Sequence, residues 1–580
     1  MPGIFVRYHI DTLSRDRDLL IAFDGRIDNR AEICGYTGAP DSASDEQLAL
    51  AAYQLWGDNC ASRILGDFAF VVRDDRLGRI LAVRDPIGIK PLYYHFDGKV
   101  LLAASELHQV VKSLDGPCEI NEGMAAEYLA CGLSNNTETL WRGVFRLPPG
   151  HSLTVLANRR LTIRRYFDID PGKTIRYKDD GEYACHFLHL LREAIQCRAT
   201  VPEKTGILLS GGVDSSTIAA TAASLRCAKA GTFSLVFPGL ACDESSYIRQ
   251  VNERWKLASH QFEPREYSVS FYADQARRYA DFPDYPNGAM CHGLRYLARA
   301  EGVEVLLTGL GGDEWLMGSH YHYADLMRRF RLGELWSEAQ GRAAAAGRQP
   351  SIRQIARFGM WPLLPGAIRR PVEARIHGGL VPDWIDRGFA RRTCLEDRLR
   401  ARDDGFRAAS HAQADIRGVL TSPWRAHALE LEDRATRAAG IEQRHPLSDR
   451  RIVEFALALP EQQRWRGNQT KFVQREAMRS LVPESIRLRR TKAEFSPVFM
   501  KTFQSSGGVH LFDQRRLVPG WINQPAVVSK YKAMEQLYQD GNPGYTRHSC
   551  PLWMILGLDL WRQGISSTEA AATSTEMAAM

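Results

Sequence analysis

The chain has no apolar run long enough to cross a bilayer, which excludes a membrane-spanning helix. Met1 to Leu20 carries early charge and no apolar core, so the start is not a secretory signal. The eleven cysteines are scattered, odd in number and never spaced as Cys-x-x-Cys. Buried or free thiols in a reducing cytoplasm are therefore expected. Charge imbalance is also small, +7 over 580 residues. That permits a basic groove but gives no argument for nucleic acid. No Gly-Lys-Ser/Thr follows the Gly-rich loop of the chain, so the Walker pattern is excluded.

What is present centres on Gly206-Ile207-Leu208-Leu209-Ser210-Gly211-Gly212-Val213-Asp214-Ser215-Ser216-Thr217. An apolar run breaks into Ser-Gly-Gly and enters a small-residue helix. A strand, a glycine turn and a helix N-terminus form an anion site from free N–H groups and the helix dipole. Ser210, Ser215 and Ser216 add hydroxyls. Asp214 adds a carboxylate where magnesium could bridge to phosphate. The bland alternative is an ordinary strand-to-helix turn.

At 580 residues the chain predicts two or more domains. Over 1–165, short apolar runs alternate with turn residues, as in Leu19–Phe23 before Asp24-Gly25 and Phe68–Val72 before Arg73-Asp74-Asp75. With a helix predicted over Ser44 to Trp56, this reads as α+β with antiparallel sheet. Over 180–565, apolar strands alternate with helices: 206–209, 232–237 and 303–307. That pattern predicts a doubly wound parallel sheet with ligands beyond the strand ends. There Asp313, in Thr308-Gly309-Leu310-Gly311-Gly312-Asp313-Glu314, would join Asp214 as a second magnesium carboxylate. Its alternative is a helix cap. The stretch Ser319 to Arg417 is rich in Arg and Ala and reads as a solvated helical face or a basic groove for a peptide. Residues 566–580 read as a disordered tail.

A resemblance adds to this. Asp24-Gly25-Arg26-Ile27-Asp28-Asn29-Arg30, Gly66-Asp67-Phe68-Ala69-Phe70 and Arg84-Asp85-Pro86-Ile87-Gly88-Ile89-Lys90-Pro91-Leu92-Tyr93-Tyr94 resemble the glutaminase domain of asparagine synthetases. The central loop, Trp424 to Leu459 and Arg489-Arg490-Thr491-Lys492-Ala493-Glu494-Phe495 resemble their synthetase domain. The resemblance implies an Ntn-type αββα domain followed by an ATP-pyrophosphatase domain with a helical C-terminal region. It implies ATP and Mg²⁺, with ATP or pyrophosphate bound by Leu209, Ser210, Gly211, Gly212, Asp214, Ser215, Ser216, Ser234, Val236, Gly309 and Lys492. Lys492 would stabilise the reacting phosphate. Glu442, Arg444 and Asp449 would form a structural ion network.

Three departures bear on glutamine hydrolysis. Pro2 stands where the glutaminase nucleophile is expected, Asp24 replaces the amide-binding Asn, and the Arg-Gly-Pro-Asp clamp is missing. No glutamine hydrolysis is expected. Leu310 stands where asparagine and β-lactam synthetases carry Glu or Tyr, so an acid/base residue must come from elsewhere; Glu430 and Glu432 are the candidates. The combination looks more like lasso peptide cyclases. That resemblance implies adenylation of an Asp or Glu side chain of a precursor peptide, then macrolactam closure by the core peptide's N-terminal amine. A leader peptidase and a leader-binding protein would be partners. The alternatives are a small-molecule amide ligase of the asparagine or β-lactam synthetase type, and an inactive nucleotide-binding scaffold.

Overall fold

The computed structural model describes residues 3–13, 18–345, 349–369, 372, 380–400, 408–515 and 517–579, with side chains left out at 345 and 566–579. In the first unit the strands are β1 (Phe5–His9), β2 (Leu19–Ile27), β3 (Gly66–Asp74), β4 (Arg79–Arg84), β5 (Tyr93–Phe96), β6 (Val100–Ala104), β7 (Phe145–Arg146), β8 (His151–Leu156) and β9 (Leu161–Arg165). They form two antiparallel sheets, β1-β6-β5-β7 and β2-β3-β4-β8-β9.

Period-two alternation sorts the side chains into layers. Phe68, Phe70 and Val72 of β3 pack on Leu48, Ala49, Ala52 and Tyr53 of the Asp45–Trp56 helix. Ser44 and Gln47 cap that helix reciprocally, as its sequence predicts. Ala69 and Val71 point the other way, into a core shared with Leu101 and Ala103 of β6. The far face of β6, with Leu102 and Ala104, packs on Met124, Tyr128 and Leu129 of the Glu122–Leu129 helix. The order is helix, sheet, sheet, helix.

The second unit holds β10 (Thr205–Leu208), β11 (Thr232–Leu235), β12 (Ser259–Phe262), β13 (Val305–Leu307) and β14 (Glu442–Arg444). All pair in parallel, in the order β12-β11-β10-β13-β14. The apolar strands β10, β11 and β13 follow the sequence reading. Ser259-His260-Gln261-Phe262 and Glu442-Gln443-Arg444 carry too few apolar residues to announce edge strands. Chain order reverses between β10 and β13, so the crevice for a ligand opens there.

Helices cover the sheet. Phe187, Leu191, Ala194 and Ile195 of Asp180–Gln196 are fully buried beside Ile207 and Leu307. The last helix, Thr546–Ala579, carries Leu552, Trp553, Leu556 and Trp561 into a cluster that also contains Tyr128 and Trp141 of the first unit. The expected tail, 566–580, falls where side chains are not described. Between Ser319 and Arg417, several helices gather around Tyr323, Leu326, Leu335 and Ala339. Arg342 and Arg417 there are buried, the latter bound to Asp168 at 2.8 Å. Among the described residues no helix is long and apolar enough to cross a membrane.

Candidate active site

The loop after β10 turns at Gly211 (φ +75°) and enters the Val213–Ser224 helix, placing Asp214 in its first turn. The loop is braced from within. Ser210 N–H donates to Ser215 Oγ at 3.1 Å, and the two hydroxyls lie 3.0 Å apart. The loop after β13 enters the Gly312–Leu316 helix with Asp313 in its first turn. Gly311, not Asp313, caps that helix, with Glu314 receiving the Gly311 N–H at 2.9 Å.

The two loops touch. A Cβ on Gly309 would lie 2.7 Å from Ser215 N, and one on Gly312 would lie 2.2 Å from Asp214 Oδ1. Glycine at both places is what lets the two aspartates converge. Between them stands Lys471, its Nζ 2.5 Å from Asp214 Oδ2 and 2.5 Å from Asp313 Oδ1. Lys492 donates to the other Asp313 oxygen from a mostly exposed position. Gln474 donates to Asp214 Oδ1 at 3.1 Å and to Thr217 Oγ1 at 3.0 Å.

Burial by itself would raise the Asp313 carboxyl; Lys471 and Lys492 overcome this and hold it at about 2. Burial would likewise lower the Lys471 ammonium, yet Asp214 and Asp313 hold it above its ordinary range. Asp214 and Asp313 are hard carboxylates of the kind magnesium takes, and they lie beside an anion nest. Lys471, Gln474 and Lys492 engage their four oxygens, so holding the ion would require those donors to shift.

Sequence reasoning missed Lys471. It sits at φ +57°, a left-handed conformation unusual for lysine, at the start of the Phe472–Ala477 helix. The only local signal is Lys471 and Gln474, three apart and so on one helix face. Arg489 was not singled out as a site residue either. Its Nη1 lies 2.6 Å from Glu244 and donates to the Gly211 carbonyl at 3.3 Å. Glu244 is buried, which raises its carboxyl against the pull of Arg489.

The remaining expected site residues Leu209, Ser216, Ser234 and Val236 are buried, Ser216 in the helix after β10 and the others at or just beyond the strand ends. Leu209 is buried and belongs to the core. The hydroxyls of Ser216 and Ser234 are buried without a hydrogen-bond partner among the described residues. Val236 is buried past the end of β11, its N–H held by the Phe262 carbonyl.

Comparison with known proteins bears on this geometry. The sequence model of the family described as asparagine synthase matches residues 186–563. The chain belongs to the asparagine synthase family. A model described as a glutamine amidotransferase domain matches residues 11–167. Asparagine synthetase [glutamine-hydrolyzing] 1 of Bacillus subtilis is 24% identical over 94% of this chain and 85% of its own length. The amidase chry2 of Gibberella zeae is 27% identical over 49% of this chain and 44% of its own length. A Methanocaldococcus jannaschii protein with a provisional asparagine synthetase name is 29% identical, and the match spans 54% of this chain and 61% of that protein.

Within this family architecture, the expected bases Glu430 and Glu432 need correction. Glu430 is buried, receives Arg146 Nε at 2.8 Å and lies 3.9 Å from Arg84. Glu432 is bound to Arg295 at 2.7 Å. Both carboxylates are paired with arginines, so neither stands as a free base.

The ion network, in contrast, is present and larger than predicted. Arg444 bonds Glu442 at 2.6 Å, and Asp449 bonds Arg198 at 2.6 Å. Arg198 also reaches Asp28 at 3.2 Å and Asp67 at 3.6 Å, so the network joins the two units. Asp24 belongs to a second junction. It accepts from Ser105 Oγ at 2.6 Å and from Arg437 of the Pro423–Ala439 helix, with Lys90 Nζ 3.6 Å away. Burial would raise the Asp24 carboxyl, but Lys90 and Arg437 hold it low. A Cβ on Gly3 would come within 3.1 Å of Arg437 Nη1. Pro2 lies outside the described residues.

Proposed function

We propose that this chain is an ATP-dependent, AMP-forming amide ligase that joins a peptide's side-chain carboxylate to the same peptide's N-terminal amine. The ligase class is supported by the family match and by the Asp214–Lys471–Asp313 group beside the Ser210–Ser215 loop. The choice of nitrogen source is carried by one observation: the Arg437 guanidinium from the second unit fills the space at Asp24. A glutamine amide would have to displace a buried, paired arginine to bind there. The nitrogen then comes with the substrate or as free ammonia.

In the reaction the substrate carboxylate oxygen attacks the α-phosphorus of ATP, the bond to the β-phosphate breaks, and pyrophosphate leaves. The loop N–H groups, Lys471 and Lys492 bind and neutralise the phosphates. Asp214 and Asp313 would hold magnesium, which supplies charge neutralisation for those phosphates when bound. The amine nitrogen then attacks the acyl carbon, AMP leaves with its oxygen, and the ammonium's protons pass to base or solvent. Holding both ends of one peptide makes this step unimolecular, worth on the order of 7–11 kcal/mol.

The family match and the names of the relatives favour a second reading, a small-molecule ligase that uses aspartate and ammonia. Lasso-type precursor, leader peptidase and leader-binding protein belong to the first reading only. Purified chain with ATP, Mg²⁺ and synthetic eight- to ten-residue peptides, each with a free N-terminus and one internal Asp or Glu, tests the choice. The first reading expects loss of one water from the peptide by mass spectrometry. Asparagine from aspartate and ammonia, with linear peptide recovered intact, would establish the second. No pyrophosphate release by wild type and Asp214→Ala alike would leave only an inactive scaffold.

A further inference from the structure

Beyond the ends of β11 and β12 lies a cavity of about 800 Å³. It is near the upper end of the roughly 300–1,000 Å³ usual for organic ligands. Its walls come from the segments after those strands, from Met290, from the 489–501 stretch and from Tyr538. Lys492 stands on its border, as does the Glu244–Arg489 pair that touches the phosphate loop at Gly211. The loop residues Ser210, Asp214, Gly309 and Asp313 do not line it. The chamber is thus next to the phosphate site and separate from it.

Its chemistry is mixed. Phe237, Met290, Phe495 and Val498 give apolar wall, and all four are buried or partly buried. Glu263 and Glu266 are exposed on the segment after β12. Neither has an ion-pair partner among the described residues, and the same holds for Arg265 and Lys501. A chamber with uncommitted charges of both signs and apolar walls matches a ligand with the same three features. A single free amino acid would leave most of this volume unfilled.

We propose that this chamber is a binding site for a zwitterionic peptide segment, its free α-ammonium received by Glu263 and Glu266 and its carboxylate turned toward Lys492. This rests on the peptide reading above and adds the place and the recognition groups. The peptide's amine and its side-chain carboxylate are then held in one half-open cavity beside the phosphates, which is the arrangement that ring closure needs.

Cys242 lines the same chamber and reports on it. Its alkylation by iodoacetamide, followed on the full-length protein by peptide mass spectrometry, is measured with the peptide pool described above, with the same pool acetylated at the N-terminus, and with ATP–Mg²⁺ alone. The expected result is at least fivefold slower alkylation with the free pool and little change with the acetylated pool. The Glu263→Gln/Glu266→Gln double variant should lose that difference while keeping its thermal shift with ATP–Mg²⁺. Equal protection by both pools, no protection by either, or full protection by ATP–Mg²⁺ alone would overturn the proposal. Water loss from peptides without chamber protection would sink this site and leave the peptide reading standing. Protection of Cys242 without water loss would do the reverse.

Discussion

The Nζ of Lys471 stands 2.5 Å from an oxygen of Asp214, a residue 257 positions earlier in the chain. It stands equally close to Asp313, so one buried ammonium ties the two Gly-rich loops together. Replacing Lys471 with Met removes the buried cation between the two carboxylates and leaves only the exposed Lys492, on Asp313. Pyrophosphate release should fall at least a hundredfold, the scale seen when one preorganised charge-stabilising donor is lost, about 10²–10³. Lys492→Met, at an exposed position, should cost less stability. Melting curves and a pyrophosphate assay on both variants check this.

The same pair sets a pH dependence. The Asp313 carboxyl, near 2 in the fold, lies below its ordinary value of about 3.9. The fold gains from this above about pH 4 and loses it as pH falls toward 2. Urea titrations between pH 5 and 2 should show a decline that is shallower in Asp313→Asn.

Buried histidines add a second acid sensitivity at higher pH. Burial lowers His445 to about 4, where its Nδ1 lies 2.6 Å from Thr308 Oγ1. A histidine held neutral in the fold but free to protonate near 6.5 when unfolded costs stability as pH falls from about 6.5 to 4. Stability measured across that interval should fall, and His445→Gln should flatten its share of the slope.

With Arg437 bonded to Asp24, the wild type is expected not to hydrolyse glutamine: glutamate release should not exceed a boiled control. Arg437→Ala should destabilise by up to about 3 kcal/mol, because it takes one of two cations from the buried Asp24 carboxylate and leaves Lys90 and Ser105 to hold it. Asp24→Asn removes that charge and leaves Arg437 paired with Asp433 at 2.5 Å, so it should cost less. Chemical denaturation of the two variants gives the comparison.

Gly312→Ala places a methyl 2.2 Å from Asp214 Oδ1 and should separate the loops, with activity falling further than stability. Gly418→Ala is the contrast. It lies inside the His411–Leu420 helix with nothing within 4 Å, and should stabilise by roughly 0.5–1 kcal/mol.

The sequence by itself determined the local parts. Apolar runs gave β10, β11 and β13, the Ser44 cap gave its helix, and the glycines with Asp214 and Asp313 marked two loops at one sheet edge. These are readable because strand period, capping and glycine turns are properties of neighbouring residues. Only the tertiary structure decided which cation joins the aspartates. Lys471 sits on a short helix whose residues look like any other helix start, and its role depends on where that helix docks. Only the docking of the two units placed Arg437 against Asp24, 413 positions apart. Docking also paired Glu430 with Arg146 of the first unit, and packing of two helices within the second unit paired Glu432 with Arg295. A carboxylate's chemistry is set by the charges within a few ångströms of it, and those come from strand order and interdomain packing, which no local spacing encodes.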